Sequence, residues 1–206
     1  MKLIPFLTTA ALVLAGSAFT HGAIISATGA VTNMGSGFGS SLDNTINGVG
    51  LSLQSLTATH AATLPANSWV SAGILTGDIT FTLGGLFTLD GFSFWNQNNG
   101  GPAALGTTGI QNVFISYSVD NVNFDALPGA PTSFAQATGN ISPAQQFVTA
   151  PVSAKFVRFA VQSNYGDVAE TGFAEVKFSG VPAVPEPGTA LFGLALCGVA
   201  AARGRR

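Results

Sequence analysis

Apolar and polar side chains alternate with a period of two residues in a series of short segments of the chain. In residues 78–83, Ile79, Phe81 and Leu83 fall on one face of an extended chain, and threonines fall on the other. The glycines at positions 84 and 85 then predict the end of this strand. The same period recurs further along in Phe92 and Phe94; Val113, Ile115 and Tyr117; Val157, Phe159 and Val161; and Ala174, Val176 and Phe178. The pattern constrains the chain to β-strands that each bury one face.

Turn-forming residues separate these strands, in clusters at residues 96–101, 120–123, 128–131 and 164–167. Only 8% of the residues are charged, and the chain is rich in Gly, Ser, Thr, Asn and Phe. Such a composition favours strands and turns and leaves little for exposed amphipathic helices. We therefore predict an all-β sandwich of the jelly-roll type, formed by residues 24–183 as a single domain.

The charges and the cysteine of this domain exclude several classes of function. Its basic residues are Lys155, Arg158 and Lys177, whereas every acidic residue of the chain except Glu186 lies within it. A mildly acidic domain without a basic stripe is not expected to bind nucleic acid. The only cysteine, Cys197, lies outside the domain, so an internal disulfide is excluded.

The first 23 residues have the pattern of a secretory signal peptide. Lys2 precedes an apolar stretch at residues 3–18, and small residues follow it. Cleavage is expected after Ala18, Gly22 or Ala23, which leaves the exact position open.

The last 23 residues, 184–206, combine a proline motif with a short apolar run and a basic end. Pro185 and Pro187, on either side of Glu186, prevent a continuous helix through the motif. The apolar run at residues 189–202 is shorter than the ~17–25 residues of an ordinary membrane span. Arginines at positions 203, 205 and 206 would stop such a helix and hold its end in the cytoplasm.

This arrangement resembles the bacterial PEP-CTERM sorting signal, with Pro185, Glu186 and Pro187 as its motif. The resemblance implies processing by a membrane protease of the exosortase type. It also implies transient anchoring in the inner membrane through the C-terminal helix, followed by a location at the cell surface or in the extracellular matrix. An ordinary carboxy-terminal membrane anchor is the alternative.

Four segments of the domain carry a second resemblance. They are residues 90–96, 109–120, 156–159 and 172–178, and the sequence Asn164-Tyr165-Gly166 precedes the last of them. In this order they resemble discoidin, or coagulation factor 5/8 type C, domains, which share the galactose-binding-like jelly roll. The resemblance covers roughly residues 78–178, and more loosely the region of Trp69. It implies a non-catalytic domain that binds carbohydrate, such as extracellular polysaccharide, or another matrix component.

A ligand site is expected on the loops at one end of the sandwich. Aromatic rings can stack on sugar rings, and asparagine amides can bond sugar hydroxyls. The candidates are Trp69, Trp95, Asn96, Asn98, Asn164 and Tyr165. For the two tryptophans a core position is the alternative, and for Trp95 the nearby alternation of Phe92 and Phe94 favours it.

The discoidin resemblance also implies a structural calcium ion, which joins an acidic amino-terminal loop to a glutamate near the end of the last strand. Asp43, Asn44, Asn47 and Glu175 are the candidate ligands, because calcium prefers carboxylate and amide oxygens. The alternative is that Asp43 and Asn44 form a local turn and that Glu175 pairs with Arg158.

Catalysis has little support in this sequence. His60 is the only histidine of the domain, no cysteine accompanies it, and no Gly-x-Ser-x-Gly motif occurs. Asp167 and Glu170 lie close together in a turn, a position typical of solvated carboxylates. We therefore expect a binding protein and not an enzyme. A purely structural or adhesive matrix protein, which associates with itself and has no defined small ligand, is the alternative.

Overall fold

The computed structural model describes residues 22–99 and 106–183. The predicted sorting signal at 184–206, with Pro185, Glu186 and Pro187, lies outside the described residues, as does the signal peptide up to residue 21. Gly22 and Ala23 belong to the folded domain, because the Gly22 amide donates to Asp90 and Ala23 begins the first strand. Cleavage after Ala18 would keep both residues. Within the described ranges, no helix is long and apolar enough to cross a membrane.

The described residues form β-strands and one short 3-10 helix at Leu42–Thr45. The strands are β1 (Ala23–Ile25), β2 (Gly29–Thr32), β3 (Thr59–His60), β4 (Trp69–Val70), β5 (Gly77–Asn96), β6 (Val113–Ser118), β7 (Asp125–Ala126), β8 (Ser142–Pro143), β9 (Gln145–Val161) and β10 (Gly172–Pro182). Strands β3 and β8 pair separately, and the others form one antiparallel network with β5 and β9 at its centre.

Strand β5 runs through both layers of the domain. Its first half pairs with β2 and with the end of β9, so that Phe81 lies opposite Ala30 and Val157. Its second half pairs with β10 and with the start of β9, so that Phe92 lies opposite Phe178 and Phe147. The sheet therefore folds over itself at the middle of β5 and β9.

The core fills the space between the two layers. The ring of Phe81, from the first half of β5, lies 5.5 Å from that of Phe178 in β10. The ring of Phe92, from the second half, lies 5.7 Å from that of Phe159. The apolar members of the predicted alternating sets are buried here, except for the partly buried Tyr117 and for Ala174, which is buried in a separate small cluster. The prediction of an all-β sandwich is confirmed.

The predicted break at Gly84 and Gly85 is wrong. Strand β5 continues through both glycines, with register shifts in its pairing between Thr82 and Phe87. Gly84 adopts a left-handed backbone conformation (φ +76°), which glycine reaches without steric cost. The glycines therefore bend the strand from one layer into the other without ending it.

The predicted turn at residues 120–123 forms as expected. Asn121 has a left-handed backbone (φ +62°), and the Asp120 side chain accepts hydrogen bonds from the amides of Val122 and Asn123. These bonds hold the pKa of Asp120 well below its usual range. The turn therefore follows local hairpin chemistry.

The two ends of the sandwich differ in what they carry. At one, here called the loop end, the Thr171 hydroxyl before β10 donates to Leu75 before β5, and Asn96 at the end of β5 pairs with Phe173. At the other, the terminal end, Ala183 donates to Leu86 at the bend of β5, and β1 pairs with the last residues of β10. Both ends of the described chain therefore emerge opposite the loop end.

Candidate functional site

A cleft of about 280 Å³ opens at the loop end. Four loops line it: the loop after β2, the loop between β3 and β4, the segment after β5 and the segment before β10. Its lining residues are Phe38, Ser40, Thr63, Leu64, Pro65, Ser68, Val70, Gln97, Asn99 and Glu170. The volume lies just below the ~300–1,000 Å³ usual for small-molecule sites, which suits a ligand the size of one sugar unit.

Phe38 forms an apolar wall of this cleft. It lies between Gly37 and Gly39, and its side chain is 70% exposed. Its backbone is left-handed, with a φ of +51°. A bulky residue in this conformation is a steric outlier and costs free energy. The loop therefore holds a large aromatic side chain in water at a conformational cost.

Gln97 supplies a buried polar group to the cleft. The residue is only 5% exposed, and its Oε1 has no hydrogen-bond partner among the described residues. A buried acceptor without a partner costs about 1–3 kcal/mol, which a donor on a ligand would recover. Gln97 is therefore a lining residue of the cleft whose buried acceptor lacks a partner among the described residues.

Thr63 and Asn99 fix one loop of the cleft to the end of β5. The Asn99 amide donates to the Thr63 hydroxyl at 2.9 Å, and the Asn99 side chain donates to the Thr63 carbonyl at 3.3 Å. The Thr63 hydroxyl in turn donates to the Asn99 carbonyl at 3.4 Å. These reciprocal bonds hold the two loops at a fixed separation.

Glu170 brings a negative charge to the cleft. Asp167 accepts from the Glu170 amide at 2.9 Å, and the Asn164 side chain donates to the Glu170 carbonyl at 2.7 Å. These bonds set the loop from which the carboxylate projects. Partial burial, and secondarily the charge of Asp167, raise the pKa of Glu170.

The two predicted ligand-binding tryptophans lie in the interior. Both are 0% exposed. The Trp69 indole donates to the Gly35 carbonyl at 3.0 Å, and the Trp95 indole donates to the Ala58 carbonyl at 2.8 Å. This burial corrects their placement in a ligand site, because neither ring has a face free for stacking. Trp95 packs with Ala58 and Ala174, apart from the central core.

Asn96 and Asn98 are buried as well, and their placement is corrected for the same reason. Asn96 exchanges two hydrogen bonds with the backbone of Ile110, at 2.8 and 2.9 Å. Asn98 accepts from the Thr63 amide at 2.8 Å and donates to the Ala61 carbonyl at 3.0 Å. Both amides tie loops together and offer nothing to a ligand.

Asn164 and Tyr165, the remaining predicted ligand residues, are partly exposed and organise the loop before β10. Asn164 donates to the carbonyls of Asp167 and Glu170, at 2.8 and 2.7 Å. The Tyr165 hydroxyl donates to the Phe134 carbonyl. Neither residue lines the cleft, but Asn164 positions Glu170, which does.

The region of the predicted calcium site holds a lysine. The Glu175 side chain is 0% exposed, and its Oε2 accepts from the Gly48 amide at 2.9 Å. The Lys177 ammonium lies 3.1 Å from Glu175 Oε1, in ion-pair contact outside hydrogen-bond geometry. The same ammonium donates to the Ile46 carbonyl at 3.1 Å. A cation of the chain itself therefore joins the loop to the last strand.

The other predicted calcium ligands do not converge on Glu175. Asp43 is exposed, the Asn44 side chain donates to the Pro65 and Ser68 carbonyls, and Asn47 accepts from the Val49 amide. Among residues 22–99 and 106–183, no group of three or more His, Cys, Asp or Glu side chains could hold a metal ion. This arrangement does not fit a calcium ion, because the Lys177 ammonium already lies against the Glu175 carboxylate.

The alternative pairing of Glu175 with Arg158 is also wrong. The Arg158 guanidinium lies 3.6 Å from the centre of the Phe124 ring, and its Nε donates to the Thr80 hydroxyl. His60 is fully buried with Nδ1 2.8 Å from the Ala61 carbonyl, and burial lowers its pKa. Neither side chain belongs to the cleft.

Phe38, Gln97 and Asn99 were not predicted from the sequence. The sequence does contain a signal for Phe38. A phenylalanine between two glycines, outside the alternating segments, indicates an aromatic side chain on a loop. Gln97 and Asn99 follow directly after β5, in the turn cluster from which Asn96 and Asn98 were selected. The roles of Gln97 and Asn99 depend on which loop packs against them, and the sequence pattern does not indicate this packing.

Comparisons with known proteins bear on the fold. No protein-family model matches this sequence, and no curated protein matches it either. The structure is similar to the Clostridium perfringens module CpGH89CBM32-5 in complex with GalNAc-beta-1,3-galactose, with a TM-score of 0.53 and 14% identity over 76% of this chain and 99% of that one. It is also similar to the family 32 carbohydrate-binding module of Clostridium perfringens NanJ in complex with galactose, with a TM-score of 0.52 and 10% identity over 76% of this chain and 97% of that one.

A third similar structure is a fragment of a putative chitobiase from Bacteroides thetaiotaomicron, with a TM-score of 0.53 and 17% identity. The alignment covers 83% of this chain and 99% of that fragment. Likeness at these identities is evidence of a shared fold. The chain has the β-sandwich fold of the family 32 carbohydrate-binding modules and of discoidin-like domains.

Proposed function

We propose that this chain is a non-catalytic carbohydrate-binding protein, exported to the surface or extracellular matrix of a bacterium. The observation that carries the proposal is Phe38, whose exposed ring is held at the cleft by a strained backbone. Folded domains keep such strain mainly where function requires a side chain in a fixed place. An exposed aromatic ring beside polar groups suits a sugar, which has apolar ring faces and a rim of hydroxyls.

The polar groups of the cleft support the same proposal. The buried Oε1 of Gln97 needs a donor, and the Glu170 carboxylate is a second acceptor at the same cleft. Neighbouring carbons of a sugar ring carry hydroxyl groups, and each hydroxyl can donate a hydrogen bond to an acceptor of this kind. A ligand that stacks on Phe38 and donates to these acceptors would use both the apolar wall and the polar groups of the cleft.

The fold supports the proposal from a second direction. Two proteins with this fold are described in complexes with galactose and with GalNAc-beta-1,3-galactose. In such a sandwich the strands form a rigid frame, and the loops at one end supply the contacts. The cleft of this chain lies on loops of that kind. No nucleophile with an adjacent base accompanies it among its described residues, which favours binding without catalysis.

Export and processing form the second part of the proposal. The signal peptide pattern of residues 1–23 would direct the chain through the inner membrane. The motif Pro185, Glu186, Pro187, with its apolar run and basic end, would then hold it at that membrane until an exosortase-type protease removes the tail. Extracellular polysaccharide is the ligand available at that location.

The binding proposal is tested with the protein expressed as the full chain and an array of purified polysaccharides. We expect saturable binding to at least one polysaccharide, and its loss in Phe38→Ala with an unchanged melting temperature. Concentration-dependent self-association without any glycan preference would reject this function and favour the structural matrix protein.

The processing proposal is tested by mass spectrometry of the protein recovered from cells that encode an exosortase-type protease. We expect a mature form that lacks both terminal segments. Replacing Pro185, Glu186 and Pro187 together by alanine should leave the tail attached and the protein in the inner membrane. Equal release of the wild-type and replaced proteins would reject the processing proposal.

A further inference from the structure

The charge of the cleft is negative and comes from Glu170. Glu170 is the only ionisable side chain among the described residues that line it. The basic residues of the domain lie elsewhere: Lys177 is buried against Glu175, Arg158 stacks on Phe124, and Lys155 is exposed near the bend of β9. Residues 100–105, which follow the end of β5, contain no charged side chain in the sequence. No cation of the domain therefore compensates the Glu170 carboxylate.

The hydroxyl donors of the cleft are already used. The hydroxyl of Ser40 donates to the Gly37 carbonyl at 2.7 Å, and that of Ser68 donates to the Leu64 carbonyl at 2.8 Å. The Thr63 hydroxyl and the Asn99 side chain donate to one another's backbone, as described above. A hydroxyl has a single proton, so the hydroxyls of Ser40, Ser68 and Thr63 have none left for a ligand, whereas the Asn99 side-chain amide keeps a second N–H.

The acceptors of the cleft remain open. Gln97 Oε1 has no partner among the described residues, and the Glu170 carboxylate makes no hydrogen bond to them. A ligand at this cleft therefore finds acceptors without partners, and its free side-chain donors are limited to the amides of Gln97 and Asn99. These acceptors favour groups that donate, namely hydroxyl, amide and ammonium groups, and the Glu170 carboxylate repels carboxylates and sulfates.

We infer that the cleft takes a neutral or amine-bearing sugar unit and excludes uronic acids and other anionic glycans, with Glu170 as the residue that sets this specificity. The inference rests on the proposed function and narrows its ligand class.

The electrostatics of the cleft agree with this assignment. Partial burial and the Asp167 carboxylate already raise the pKa of Glu170, so negative charge at this position is disfavoured before any ligand arrives. A ligand carboxylate in the cleft would add a third negative charge with no cation to balance it. Like charges a few ångströms apart near a protein surface reduce affinity by at least about tenfold.

The test compares neutral and amine-bearing polysaccharides with acidic ones, and it includes galactan together with its own acidic derivative. Galactan, dextran and chitosan serve as neutral and amine-bearing probes. Galactan whose primary hydroxyls have been oxidised to carboxylates, polygalacturonate and alginate serve as acidic probes. Binding is measured with the full chain and with Glu170→Gln. Asp125→Asn is the matched control, because it removes the same charge from an exposed residue of β7 outside the cleft.

We expect every polysaccharide that binds to be neutral or amine-bearing, and the acidic probes to bind at least about tenfold more weakly. Glu170→Gln should reduce the difference in affinity between neutral and acidic probes, whereas Asp125→Asn should leave that difference unchanged. An acidic probe that binds as tightly as the neutral ones, or a difference that Glu170→Gln does not alter, would overturn the inference and leave carbohydrate binding intact. Binding to none of the probes, acidic or neutral, would reject the proposed function and the inference together.

Discussion

The ammonium of Lys177 lies 3.1 Å from the carboxylate of Glu175, two residues earlier on the same strand. Both side chains are buried, and the loop at residues 46–48 covers them through the Ile46 carbonyl and the Gly48 amide. The pair thus fixes a loop to β10 with charges supplied by the chain. Three of the predictions below follow from it.

Removing the ammonium should destabilise the domain. Lys177→Met keeps most of the side-chain volume but leaves the Glu175 carboxylate buried without a cation, which costs about 3 kcal/mol in comparable pairs. We expect a loss of that size at pH 8 in denaturant unfolding. Lys155→Met, at an exposed position, is the matched control and should change stability by less than about 0.5 kcal/mol. Equal stability of the two variants would show that the ion pair does not hold the loop.

The stability of the domain should depend on pH through Glu175. Burial raises the pKa of this carboxyl from 4.5 to about 7, although the Lys177 ammonium and the Gly48 amide lower it. Between these values the folded protein binds more protons than the unfolded chain. The free energy of unfolding should therefore fall as the pH rises from 4.5 to 7 and level off above that. Unfolding curves across this range, with Glu175→Gln as the comparison, measure the effect. The variant should lack this part of the pH dependence.

Calcium should not stabilise the domain. The Lys177 ammonium fills the role that a metal ion would have between the loop and Glu175, while Asp43 is exposed and Asn44 and Asn47 bond to other backbone groups. We expect the melting temperature to be the same within 1 °C or so in millimolar calcium and in a chelator, because only a ligand of the folded state raises it. A calcium-dependent increase of several degrees would contradict the role assigned to Lys177.

Replacing Phe38 should separate binding from stability. Its side chain is 70% exposed, so Phe38→Ala removes little buried area and should leave the melting temperature unchanged while it weakens glycan binding at least about tenfold. Phe38→Gly should raise stability by up to about 1 kcal/mol, because glycine adopts the left-handed backbone without strain. Phe114→Ala, at an exposed phenylalanine of β6 outside the cleft, is the control and should bind normally.

Trp95 should show the opposite behaviour. Trp95→Phe removes the indole donor to the Ala58 carbonyl and leaves a space in a buried cluster, at a cost of about 2 kcal/mol. Glycan binding measured on the folded fraction should not change. A loss of binding without a loss of stability would restore Trp95 to the ligand site.

Much of the fold was predictable because its signal is local. In β5, the alternation of Ile79, Phe81 and Leu83 indicates which side chains are buried. The turn at Asp120 and Asn121 depends only on hydrogen bonds between residues that are close in sequence. The bend at Gly84 was not predictable as a bend. Glycine both ends and curves strands, and only the pairing of Phe87 with Ala154 and Pro182 decides between the two.

The candidate site was less predictable because it depends on contacts between distant loops. Trp95 and Asn98 have the chemistry of ligand residues, but the loops that carry Ala58 and Thr63 cover them. Lys177 is one of the few basic residues of the domain. Nothing in the neighbouring sequence indicates that its ammonium donates to the Ile46 carbonyl. Each of these outcomes requires contacts between segments more than 30 residues apart.

The two ends of the described chain leave the sandwich at the terminal end, while Phe38 and the cleft lie at the loop end. A copy attached to a membrane or matrix through either end would thus present its cleft away from the attachment. Many such copies side by side would face the same polymer with their clefts aligned. A repeating polysaccharide could then occupy several clefts at once, and avidity of this kind can exceed the affinity of one shallow cleft by ~10²–10⁴-fold.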